Sequence, residues 1–243
     1  MRSALVIARR ELVGYVSTPM GWIVAATMLL VDGLLFYALA LGPAAGPRLS
    51  ADVLGRFFWT TSGLVPIAAV ALSVRLLTEE RQLETLVLLG TAPVRDREIV
   101  LGKFLAALAF LTLLTLLTLY MPLLVLVNGK ITFGQVAVGY LGLLLLGAAV
   151  LAIGLFASSL TRHTLLAVVT GAAITAALFL FYPLGNALDP PLNGVLRALS
   201  LHGERFFGFQ TGALHLRDVV YYLSVIYFFL LVSTKVLEAK RWE

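Results

Sequence analysis

Asp32 is the one acidic residue well inside a long apolar run of this 243-residue chain. An ionised carboxylate at the centre of a bilayer helix costs about 2.5–3.5 kcal/mol on the translocon scale, so something must compensate it. Thr60, Thr61 and Ser62 fall at similar depth in the next apolar run, and Arg56 could reach down to them from the edge. Two chemistries are open to Asp32: a structural pair with that set between the first two runs, or direct contact with a substrate or a proton. An Asp32→Asn variant separates them, since near-normal assembly with lost activity excludes a purely structural role.

An intramembrane enzyme built on Asp32 would need a second intramembrane carboxylate, a nucleophile dyad or a metal set, and the sequence offers none. His163, His202 and His215 are scattered without HExxH or comparable spacing. There are no cysteines, so thiolate chemistry and disulfides are excluded. Gly102-Lys103 and Gly129-Lys130 lack the upstream glycine and following hydroxyl of GxxxxGK[ST], so the chain carries no ATP site of that type. Neither a catalytic residue nor a metal site is assigned.

The elements that hold these residues are written in the hydropathy. Hydrophobic residues make up 60% of the chain and charged residues 13%, against roughly 45–50% and about 25% in soluble domains. The apolar residues come in long blocks between short charged connectors, which describes one polytopic domain over residues 1–243. A spanning helix needs about 20 mostly apolar residues, because every backbone polar group in hydrocarbon must be paired internally. Six stretches qualify, at 20–41, 57–77, 99–127, 136–160, 165–182 and 219–236. The fold class is therefore an all-α membrane protein of six transmembrane helices.

Residues 1–17 place Leu5, Ala8, Leu12, Tyr15 and Val16 on one helical arc and Arg2, Arg9 and Arg10 outside it, the pattern of an interfacial helix on the membrane surface. A signal peptide is the competing reading, but the apolar run that follows exceeds the 7–15 residues of a signal core. An even number of spans puts both termini on one side. That side holds twelve Lys and Arg against six on the other, which makes it cytoplasmic. The formal charge of +5 is spread over connectors and never forms a basic stripe with interleaved aromatics, so nucleic acid is not an expected partner. Membrane lipids are.

Two connectors matter. In 183–218, Pro190, Pro191, Asn193 and Gly194 mark turns, while Leu196, Leu199, Phe206, Phe207 and Phe209 suggest short external helices whose aromatics anchor in the outer leaflet or touch a lipid-like substrate. In 78–98, between spans two and three, Thr78 could cap a short amphipathic helix with Glu79 and Glu80 in its first turn, ended by Gly90 and Pro93. Arg81, Glu84, Thr85 and Leu88 share one face of it. Elsewhere Gly154 and Ser158, Ala148 and Ala152, and Ala167 and Gly171 are four apart and permit close helix packing. Thr112, Thr115 and Thr118 share a face that either lines a route or bonds its own helix.

The stretch TEERQLETLVLLGTAPVRDREIVLGKFLA resembles the signature of ABC type 2 permeases, through Glu79, Glu80, Arg81, Thr85, Pro93, Val94, Gly102 and Lys103. RDVVYYLSVIYFFLLVSTKVLEAKRW is similar to the sixth span and basic tail of their gliding-motility subgroup. Glu84 and Val87 depart from the pattern, where a glycine and an acid are usual. The resemblance implies the permease subunit of an ATP-binding cassette transporter in a bacterial-type inner membrane. It would work as a dimer with a second permease subunit and dock the connector in an ABC ATPase through Glu79, Glu80, Arg81, Glu84, Thr85, Leu88 and Pro93. ATP and Mg would belong to that ATPase, and no cofactor to this chain. A non-transporting membrane anchor using the same ATPase contact is the alternative.

Overall fold

The computed structural model describes residues 2–38, 42, 50–82, 95–128 and 131–240, and all its regular elements are helices. In chain order they are α1 (Arg2–Ser17), α2 (Pro19–Phe36), α3 (Ser50–Ser73), α4 (Arg75–Gln82), α5 (Asp96–Leu117), α6 (Tyr120–Asn128), α7 (Phe133–Leu160), α8 (Thr164–Ala187), α9 (Leu192–Leu199), α10 (Glu204–Thr211) and α11 (Leu216–Lys240). Six stretches are long and apolar enough to cross a membrane: Pro19–Phe36, Ser50–Thr78, Asp96–Val127, Phe133–Leu160, Thr164–Ala187 and Leu216–Lys240. The protein is all-α with six candidate spans. Several helices run past the apolar blocks, α3 from Ser50 and α8 to Ala187, because polar residues such as Asp52 in a first turn favour a helix as much as apolar ones do.

Local sequence sets the ends and breaks. Pro19 occupies the first turn of α2, where its missing N–H loses no bond. Thr132 and Gln135 close a capping box at the start of α7. Between α5 and α6 the helix breaks just ahead of Pro122, which cannot donate to the preceding turn, and the Thr118 hydroxyl bonds the Thr115 carbonyl there. Thr112 and Thr115 also bond carbonyls of their own helix, at Leu108 and Leu111.

Span four, α7, is the hub. It packs against α3, α4, α5, α8, α10 and α11, and its Leu143, Leu146 and Ala149 to Ile153 are fully buried. Small residues make this possible: a Cβ on Gly171 of α8 would lie 3.5 Å from the Gly154 Cα, so spans four and five meet within the subunit.

The N-terminal helix forms: Ala4, Ile7, Ala8, Glu11, Leu12 and Tyr15 lie on the side packed on α5 and α2, and Leu5 and Val16 are 65% and 45% exposed. One sequence expectation is corrected: Thr78 does not cap the connector helix. That helix starts at Arg75, and Thr78 sits inside it with its hydroxyl bonded to the Val74 carbonyl at 2.7 Å.

Candidate functional site

Asp32 is fully buried between α2 and α3, and its Oδ1 accepts a 2.8 Å hydrogen bond from the Thr61 hydroxyl. Its Oδ2 is buried without a hydrogen-bond partner among the described residues. Tyr140 lies within electrostatic reach, its hydroxyl 2.9 Å from that of Thr118. Phe58 packs edge-on to the Tyr140 ring at 5.7 Å. The other members of the anticipated set point elsewhere. Thr60 donates to the carbonyls of Arg56 and Phe57, Ser62 meets Trp59 and His202, and Arg56 is exposed. Successive helical residues are about 100° apart, so three in a row cannot serve one partner, and Arg56 lies about 140° from Thr61.

Thr61→Val would strip Asp32 of its donor and leave a buried carboxylate unbonded. The expected loss is about 1–3 kcal/mol, read as a lower unfolding midpoint in detergent. Asp32→Asn keeps an oxygen for Thr61 and is expected to lose less than half of that.

The second constellation gathers at the opposite end of span two. The helix breaks at Val74, so the first N–H groups of α4 need acceptors from outside. Ser158 of α7 supplies one: its Oγ accepts from the N–H of Leu77 at 3.0 Å and of Thr78 at 3.2 Å. Gly154, one turn back, faces Ser73, whose Cβ would stand 2.8 Å from any Cβ placed there. Gln82, at the end of α4, donates to the Arg162 carbonyl and the Thr164 hydroxyl, both at 3.2 Å. Lys240 of α11 donates to the carbonyls of Ser159 and Leu160. The connector root is thus tied to the ends of spans four and five, and the end of span six joins it.

The same end carries the Gly102-Lys103 pair. A Cβ on Gly102 would lie 2.7 Å from the Ala4 carbonyl oxygen, so only glycine lets α1 settle on α5. Lys103 is 1% exposed and pairs with Glu11 at 2.9 Å. Tyr15 stacks on Phe110 and donates to the Leu72 carbonyl at 2.9 Å, fastening α1 to span two as well. Of the anticipated coupling residues, Glu79, Glu80 and Arg81 fall within α4. Glu84, Thr85, Leu88 and Pro93 lie outside the described residues.

Ser158→Ala removes the acceptor for α4. A lost helix cap is worth about 1 kcal/mol, and the expected readout is faster amide exchange at Leu77 and Thr78 with the spans unchanged.

At the other end, the short helices expected between spans five and six are present as α9 and α10, and they form a cap whose side-chain contacts the sequence did not reveal. Arg205 is 8% exposed, reaches Asp218 at 3.2 Å, donates to the Ala198 carbonyl at 2.9 Å and lies 4.2 Å over the Tyr221 ring. Tyr221 and Tyr222 donate to the Leu199 and Leu201 carbonyls, each at 2.6 Å. His202 stacks between Phe179 and Phe206 and faces Trp59. Burial pushes its imidazole down to about 4. Phe206 and Phe209 are buried, while Phe207 is 61% exposed. Among the described residues no cluster of His, Asp or Glu could hold a metal ion.

No curated protein matches the chain. The family described as ABC-2 family transporter protein matches residues 5–198, from α1 into α9 and across five of the six spans. With most of its length inside that match, the chain belongs to the ABC-2 transporter family.

Proposed function

We propose that this protein is the permease subunit of an ATP-binding cassette exporter, with hydrolysis performed by a separate ABC ATPase and transport by a dimer with a second permease subunit. Family membership supports a membrane subunit that works with such an ATPase. The observation that carries the mechanism is the pair of bonds from Leu77 and Thr78 to Ser158, with Gln82 fastened to the start of α8. A force applied to the connector reaches spans four and five through these contacts, as well as span two through the chain. The partner then favours one arrangement of the bundle over another, which is all that coupling requires.

In the proposed orientation both termini and the connector are cytoplasmic, the cap of α9 and α10 is external, and the membrane is a bacterial-type inner membrane. The α1 helix would lie in the interface, its exposed Leu5, Val6, Val13 and Val16 facing lipid. The subgroup likeness to gliding-motility permeases rests on the sequence after residue 198, beyond the family match, and carries no inference about gliding.

The test is purification from native membranes in mild detergent, with identification of what accompanies the chain. Recovery of an ABC ATPase and its loss on replacing Glu79, Glu80 and Arg81 by alanine are expected. Absence of any ATPase, under conditions that hold other membrane complexes together, would refute the reading. ATP turnover in liposomes without movement of any tested amphiphile or solute would favour the anchor role instead.

A further inference from the structure

A cavity of about 460 Å3 opens at the cap end between α3, α7 and α10 and is lined by Asp52, Gly55, Arg56, Gln135, Phe207 and Gln210 among others. Its lining mixes polar and apolar side chains, and it does not stand alone. Asp52, Arg56, Trp59, Gly63 and Ile67 recur every three or four residues, and all five are exposed, forming one stripe down α3. Trp59 and Ile67 are 53% and 66% exposed, and among the described residues nothing lies within 4 Å of a Cβ placed on Gly63, so the stripe carries a notch below the tryptophan. Among the described residues neither the Asp52 nor the Arg56 side chain has a hydrogen bond or ion pair. Two opposite charges one turn apart are therefore presented to whatever occupies the cavity.

The order along the stripe is acid, base, interfacial aromatic, apolar notch. That is the order of a zwitterionic phospholipid from water inward: ammonium, phosphate, glycerol, acyl chain. The length fits as well. Arg56 to Ile67 spans about 16 Å of helix, and one leaflet of hydrocarbon is about 15 Å thick. A small soluble zwitterion would use only the two charges and leave the apolar part of the stripe without purpose.

The geometry points to a binding site for a zwitterionic phospholipid, its ammonium at Asp52, its phosphate at Arg56 and a chain along Trp59, Gly63 and Ile67. Read as a substrate site it rests on the proposed transporter function; as a lipid site it does not.

The test titrates the purified full chain in detergent with phosphatidylethanolamine and, separately, with phosphatidylglycerol of the same chains, following bound lipid by native mass spectrometry. Phosphatidylethanolamine is expected to bind at least about fivefold more tightly, the scale of one exposed ion pair. Asp52→Asn should abolish the preference and Arg56→Gln should weaken both lipids. The exchange Asp52→Arg with Arg56→Asp leaves net charge unchanged and both positions exposed, yet should lose the preference because the order is reversed. Gly63→Leu, which fills the notch, should weaken phosphatidylethanolamine with the headgroup contacts intact. Equal binding of the two lipids, or full retention in the exchanged variant, would overturn the assignment. Competition by glycerophosphoethanolamine as effective as by the lipid would overturn the acyl-chain half of it. None of these measurements involves an ATPase, so failure here is distinct from failure to recover one.

Discussion

Arg205→Met is expected to lower the unfolding free energy by about 3–5 kcal/mol, the usual consequence of removing one partner from a buried ion pair. Asp218 would remain, with only 12% of its side chain exposed and its cation gone. The Ala198 carbonyl would lose its donor and Tyr221 the guanidinium that covers its ring. The first turn of α11 offers Asp218 some relief, since a carboxylate at a helix N-terminus is favoured by about 0.3–1 kcal/mol. That relief is too small to offset the loss. The prediction has a second arm: Arg205→Met combined with Asp218→Leu leaves no unpaired charge and is expected to recover a large part of the stability. Thermal unfolding in detergent measures both. A double variant no more stable than Arg205→Met would mean that the guanidinium acts through Ala198 and Tyr221, and not through Asp218.

Why that pair escaped the sequence, while Asp32 did not, is instructive. Asp32 stands out because its surroundings are uniformly apolar, and its partner is limited to the polar residues at equal depth on the next span. Depth is legible from counting residues; azimuth is not, because the phase of α3 about its axis is set by packing against α2 and α7. Thr61 faces Asp32, and its neighbours Thr60 and Ser62 necessarily do not. Arg205 and Asp218 sit in a connector where charged residues are unremarkable, and they meet only because α10 folds back onto the start of α11.

The connector root follows the same logic. Gly154 and Ser158 carry a small-residue spacing that signals close packing, and close packing is what Gly154 provides, both to Ser73 and to Gly171. Ser158 does something the spacing does not encode. It accepts two backbone N–H groups across 80 residues of sequence, an arrangement that exists only because the helix breaks at Val74. Thr78 was the local solution to the capping problem, and the fold uses a distant one. The hydropathy that identifies six spans comes from composition alone, whereas these contacts require knowing which helix faces are brought together.

Acidification should destabilise the cap through His202. Ser62 gives its one hydroxyl proton to the Trp59 carbonyl at 2.8 Å, so His202 Nε2, 2.8 Å from the Ser62 oxygen, is the donor in that contact. Nδ1 is then the nitrogen that a second proton must reach. The ring lies 5.1 Å from Phe179 and 5.4 Å from Phe206 by centroid, with Trp59 at 4.9 Å, and burial among them withholds the water that would solvate the charged form. The folded group titrates at about 4, against about 6.5 in an unfolded chain. Between those values the unfolded state binds more protons than the folded one, so stability falls as the pH is lowered. The contribution is intact above pH 6.5, is reduced by about 2 kcal/mol at pH 5, and has fallen by about 3 kcal/mol near pH 4, below which it changes little. His202→Phe keeps an aromatic ring in the stack and has no proton to gain. The difference in unfolding midpoint between wild type and this variant, followed from pH 7.5 to 4, should therefore narrow or reverse in favour of the variant as acid is added. Parallel curves would place the imidazole in contact with solvent and remove it as the keystone between spans two and five and the cap.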